Sequence, residues 1–344
     1  MSTPPPPLFV HATGMACPIG LTTAAACAAL RAGISRRQEL PYLDDDGRPV
    51  VGSYLARIPA GTPRRERIAS LAAVAIADAL RGAANTACSD PWILVLADDI
   101  AAELGDGAAI RAQLARRGVP FAPSETRIVA EGSCGLVSAL ALARSLFARR
   151  QCRACTICAA DSLICAGSLA RLAGQGRLLT EDNPDGVTPG EAAVCLRLSP
   201  SGRGASSRIL GTGTARESAT LRSDEPLRGD GIAAAAQGAL AEAGLAFHDI
   251  DFRVSDAAGE SYHFKEQILL VSRLLRSRRA DLPLWLCAAE LGDTGAAAGL
   301  CGLVTATEAF RRGRVPGPRA LVFAGADDGR RSAVVLSRGG NDGS

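Results

Sequence analysis

Short runs of β-branched and small residues alternate along the chain with longer alanine-rich stretches whose apolar positions recur every three or four residues. Runs of the first kind predict strands at 92–98, 126–131, 155–161, 193–198, 252–256 and 320–327. The second kind predicts helices at 64–81, 136–150, 230–244 and 298–312. Strands and helices in this alternation predict an α/β protein whose strands are mostly parallel and joined by crossover helices.

One segment occurs twice. CGLVSA at 134–139 returns as CGLVTA at 301–306, and each copy opens a predicted helix with an arginine-rich end, Arg149-Arg150 in one and Arg311-Arg312 in the other. Each helix leads into a small-residue strand ending in aspartate, Asp161 or Asp327, so that cysteine and aspartate stand 27 and 26 residues apart. Agreement over a helix, a loop and a strand predicts a duplicated unit. The Gly/Ser-rich stretch 199–208 is the expected connector, with halves at 1–205 and 206–344 forming one integrated domain.

Composition narrows the class. Hydrophobic residues make up 47% and charged residues 21%, which excludes a disordered chain, while aromatics at only 4% point to close packing through Ala and Gly. There are 38 basic and 35 acidic residues, for a net charge of +3, and no long basic block, so no nucleic-acid partner is expected. No stretch is long and apolar enough to insert in a membrane, and MSTPPPPLFV lacks the regions of a signal peptide. The expected location is therefore the cytoplasm, with the eleven cysteines as reduced thiols.

The cysteines offer the most obvious chemistry. Cys152, Cys155, Cys158 and Cys165 have some of the spacing of a metal site, but Cys155 and Cys158 fall in a predicted strand, where residues three apart face opposite ways. No metal and no cofactor is expected. The glycines of GDTGAAAG (292–299) lack the Lys-Ser/Thr of a phosphate loop and fit close helix packing better.

Four segments, in order, resemble the β-ketoacyl synthases of the thiolase-like superfamily: TGMACPIGLTTAAACAALRAGIS (13–35), NPDGVTPGEAAVCLRL (183–198), LAEAGLAFHDIDF (240–252) and GDTGAAAGLCGLVTATEAFRRGRVPG (292–317). The resemblance spans nearly the whole chain. It implies a thiolase-like fold, with duplicated halves in a five-layer αβαβα arrangement, and a homodimer paired through the strand at 126–131.

Condensing enzymes of that family use a cysteine at a helix N-terminus, two histidines that stabilise an enolate, and a lysine. In the ungapped register, the resemblance puts the nucleophile position on Gly132. A register with a small deletion puts it on Cys134 instead; the internal repeat, which matches Cys134 to Cys301, favours the first. The histidine positions fall on Asp256, within VSDAAGES, and on Asp293, within GDTGAAAG, and the lysine position falls on Ala288. Only His11, His248 and His263 exist in the whole chain. Gly132, Asp256 and Asp293 are thus expected to be vestigial positions.

Cys134 is the remaining candidate catalytic thiol, for an acyltransferase or thioesterase, against the plainer reading of a core side chain. Asp256, Asp293 and His263 are a second candidate cluster, for acid–base or cation chemistry, against the plainer reading of capped remnants. The resemblance points to a catalytically inactive protein that binds a protein partner. One expected partner is a type VI secretion effector with its adaptor, since shortened synthase-like proteins of this kind resemble accessory proteins found beside such effectors. The alternative is an active synthase, for which the chain would serve as a chain-length-factor-like companion.

Overall fold

The computed structural model describes residues 6–81, 89–119 and 121–339. The first half runs β1 (Leu8–Ala16), α1 (Thr23–Arg31), β2 (Arg37–Leu43), β3 (Pro49–Ser53), α2 (Arg64–Ala79), β4 (Trp92–Leu96), α3 (Asp98–Leu104), α4 (Ala108–Arg116), β5 (Thr126–Ala130), α5 (Gly135–Ala148), β6 (Cys155–Ser162), α6 (Ala166–Gly174) and β7 (Glu191–Ser199). The second runs β8 (Ser207–Arg216), α7 (Asp230–Ala243), β9 (Phe252–Ser255), α8 (Ser261–Leu274), β10 (Leu284–Leu286), α9 (Ala288–Leu291), α10 (Ala298–Arg312), β11 (Arg319–Gly325) and β12 (Arg330–Arg338).

Ten strands are hydrogen-bonded in the order β10-β9-β11-β12-β8-β1-β7-β6-β4-β5. The β8–β1 join holds through three residue pairs only, Leu8–Ile209, Phe9–Arg208 and Val10–Ser207. On either side of it lies a five-stranded sheet of identical order. With the β2–β3 hairpin set aside, each half places its own third strand outermost, followed by the second, fourth, fifth and first. The duplication visible in CGLV[ST]A is therefore a duplication of topology.

Strand direction departs from the mostly parallel expectation. β4, β5 and β6 are parallel, as are β9, β10 and β11, but the last strand of each half returns antiparallel and pairs antiparallel with the next. In the second half the cause is connection length: only four residues, 326–329, separate β11 from β12, too few for a crossover. The strand predicted at 92–98 also stops early, since Asp98 and Asp99 occupy the first turn of α3, where the helix dipole favours carboxylates.

Alternation along the strands builds the five layers. Ile93, Val95, Cys155, Ile157 and Ala159 face a central cluster with α5 and α10, while Trp92, Leu94, Leu96, Cys158 and Ala160 face α2, α3 and α4. In the second sheet Val322 and Val334 face the centre, and Leu321, Phe323 and Val335 face α7 and α8. Cys155 and Cys158 thus point to opposite faces. The abundance of small residues has a local reason at Gly211 and Gly213 of β8, where an added Cβ would come within 2.1 Å of the α7 carbonyls of Ala239 and Ala235.

Candidate functional site

The sharp turn from β5 into α5 is the elbow where the sequence locates its candidate nucleophile. Gly132 begins a short 3₁₀ turn, 132–134, at a left-handed φ of +58°. A Cβ on it would meet nothing within 4 Å, so backbone conformation rather than crowding is what glycine supplies here.

Ser133, the next residue, ties three elements together. Its Oγ donates to Asp256 Oδ2 (3.0 Å) just after β9 and accepts from the Gly299 N–H (3.1 Å) in α10. The same Asp256 oxygen accepts from the Gly325 N–H (2.8 Å) at the end of β11. Burial pushes the Asp256 carboxyl above its ordinary pKa, opposed by these donors and by the charges of His263 and Arg331. Asp256 acts as a clasp between the two halves of the central layer.

Cys134 faces inward. Its thiol is 3% exposed and donates to the carbonyls of Arg330 (3.3 Å) and Ala324 (3.5 Å). Burial, with the Asp256 charge adding to it, pushes the thiol up to about 12. Its carbonyl in turn accepts from Ser332 Oγ (3.1 Å). A thiol that donates to two carbonyls in a dry site is held as S–H, the opposite of an activated nucleophile.

Asp293 lies elsewhere. Its backbone bridges to the 188–190 segment, and Oδ1 accepts from the Gly295 N–H (2.9 Å) at the start of the turn into α10. Burial raises its pKa as well. It lines a cavity of about 260 Å³ together with Thr188, Gly259, Phe264 and Ala288. The candidate nucleophile positions and Asp256 do not line that cavity.

His263 pairs with neither aspartate. Nε2 is 3.4 Å from Glu260 Oε2, and Nδ1 is 3.8 Å from Glu266 Oε2. Burial alone would lower its pKa, but the two carboxylates prevail and raise it to about 9. Glu260, despite burial, is drawn down to about 2 by His263 and Arg177. Arg177 grips Glu260 with two N–H groups (2.7 and 2.8 Å) and reaches Asp327 (2.5 Å). Arg331 donates to Glu266 (2.8 Å) and to the Tyr262 hydroxyl (2.9 Å).

The candidate trio Asp256, Asp293 and His263 is therefore not one site. The two aspartates accept from backbone N–H groups, and the histidine belongs to a chain of ion pairs. Among the described residues, no group of three or more His, Cys, Asp or Glu side chains has the geometry to hold a metal ion.

Sequence reasoning missed Arg177 and Arg331 altogether. The signal for the pairing lay in Glu260, His263 and Glu266, whose three-residue spacing sets them along one side of α8.

No family model and no curated protein matches the sequence. Solved structures do match. The ishigamide ketosynthase/chain length factor is 18% identical with a TM-score of 0.73, covering 97% of this chain and 100% of that one. A type II polyketide ketosynthase solved with its acyl-carrier protein, AntDE:AntF, is 14% identical with a TM-score of 0.79, covering 97% and 100%. A ketosynthase from module 6 of the bacillaene synthase of Bacillus subtilis is 13% identical with a TM-score of 0.74, covering 98% and 73%. The chain has the thiolase-like fold of the ketosynthases.

Proposed function

We propose that this protein is a ketosynthase-like chain without condensing activity, and that it works by binding a protein partner. One observation carries the reading. At the positions matched to the family's nucleophile, its two histidines and its lysine stand Gly132, Asp256, Asp293 and Ala288. A glycine cannot form a thioester, and carboxylates would oppose the negative charge of an enolate that imidazoles stabilise. The nearby thiol, Cys134, spends its proton on two carbonyls. In this reading the protein is cytoplasmic and the partner is an effector with its adaptor in type VI secretion, which the chain helps to load or stabilise.

A second reading, a chain-length-factor-like companion of an active synthase, has its own support. Among the described residues β5 is the last strand of its sheet, with its outer edge unpaired, and an open edge is a template for another chain. A homodimer would use the same edge.

The test is incubation with acyl-thioester donors followed by intact-mass measurement and peptide mapping. No covalent adduct is expected. A stoichiometric acyl group on Cys134, abolished in Cys134→Ala, overturns the proposal. Co-expression then separates the readings: a stable complex with an effector or adaptor supports the first, and one with a complete ketosynthase supports the second.

A further inference from the structure

We infer that a cleft beside the β2–β3 hairpin binds the phosphate group of a small anionic ligand. Arg36 and Arg37 lead into β2, and Arg57 lies on the loop that follows β3. The three arginines, with Gln38 and Tyr54, line a cleft of about 360 Å³ whose lining includes no carboxylate residue. Among the described residues, no carboxylate lies within ion-pair distance of Arg36, Arg37 or Arg57. Arg37 makes one hydrogen bond, to the Ala289 carbonyl (2.9 Å), and Arg36 and Arg57 make none through their side chains. Several arginines elsewhere in the chain behave differently. Arg48, Arg64, Arg67, Arg177, Arg197 and Arg331 all close onto carboxylates.

The cleft is held in shape from behind. Arg67, fully buried, binds Glu191 (2.5 Å) and turns its other N–H groups to the carbonyls of Leu55, Ile58 and Pro59. Glu191 also accepts from the Leu55 N–H (2.8 Å), and Gln38 Nε2 donates to the Tyr54 carbonyl (2.9 Å). An interior ion pair thus fixes the loop that carries Arg57.

Like charges along one concave surface repel one another, and among the described residues no carboxylate within ion-pair distance offsets them. A polyanion would. Guanidinium groups match phosphate oxygens with paired N–H donors, and the volume is in the range of small-molecule sites. The inference does not rest on the proposed partner-binding role, since the cleft contains none of the residues that argue for inactivity.

The test is calorimetric titration at low salt with pyrophosphate and inorganic phosphate, and with glutarate and a tetraglutamate peptide as carboxylate comparators. Pyrophosphate should bind saturably at one site, and at least about 10-fold more tightly than either carboxylate probe. The double variant Arg36→Gln/Arg57→Gln should weaken it by about 30-fold or more, while Arg203→Gln/Arg222→Gln, which removes the same charge from exposed positions, should change it less than about twofold. Phenylglyoxal labelling of the unaltered protein gives a second readout, in which pyrophosphate should protect Arg36 and Arg57 but not Arg222. Absence of saturable binding, equal loss in the two double variants, equal or tighter binding of the tetraglutamate peptide, or unprotected Arg57 would each overturn the inference.

Discussion

Two groups of arginines behave in opposite ways. Around the end of α8, Arg177 and Arg331 are buried and closed onto Glu260 and Glu266, with His263 between those carboxylates. Beside the β2–β3 hairpin, Arg36, Arg37 and Arg57 line open space with no carboxylate among them. The first group has already met its counter-charges and has little left to offer a ligand. In the second the counter-charge is missing, so that is where an external anion gains most. The ionisable residues of the α8 cluster are therefore the less informative set, even though the sequence draws attention to them first.

The contrast depends on Arg67, which belongs to the paired kind yet shapes the unpaired cleft. Replacing it with methionine leaves the Glu191 carboxylate buried with only Ser162 Oγ and the Leu55 N–H as donors. Breaking such a pair costs about 3–5 kcal/mol, the largest effect expected here, and equilibrium denaturation would read it. Arg67→Met/Glu191→Met should recover much of that loss but not pyrophosphate affinity, because loop 55–59 loses its anchor in both variants. Full affinity in the double variant would separate the interior pair from the cleft.

A smaller effect is expected from His263, and its sign is fixed by its partners. Its folded pKa of about 9 lies above the ordinary 6.5, so its contribution is complete below pH 6.5 and is lost as pH rises through about 9. Glu260 runs the other way: held at about 2 against 4.5, it contributes above pH 4.5 and fades as pH falls through 2. Urea midpoints measured at pH 6, 7.5 and 9 should decline by the equivalent of ~2 kcal/mol, and His263→Gln should flatten that decline. An unchanged slope in the variant would show that His263 is not paired as described.

These pairings explain which parts of the molecule were legible in the sequence. Six of the strands and four of the helices could be read because local periodicity determines them, and CGLV[ST]A exposed the repeat because α5 and α10 occupy equivalent places in the central layer. The direction of β7 and β12 was not legible, since it follows from how the chain returns to the sheet. At the elbow the residue types could be located but not their contacts. Ser133, Asp256 and Gly325 lie far apart in sequence and meet only through the fold. The cleft escaped for the same reason: Arg57 reaches it through a loop whose path is set by Arg67 and Glu191, and no motif records that pairing.

The smallest expected effect concerns the cysteines, where the two readings of Cys134 diverge. As a core thiol, its replacement by alanine should cost ~1 kcal/mol, since it removes one buried sulfur and the single weak S–H donor it shares between two carbonyls, and it should leave partner binding intact. As a nucleophile it would react first with iodoacetamide. The structure predicts the reverse order, with Cys152 and Cys165, both partly exposed, alkylated in the native protein before Cys134. Timed labelling with peptide mapping reads that order directly. Labelling of Cys134 ahead of both would mean that the elbow opens and exposes the thiol, and it would return Cys134 to the list of reactive groups.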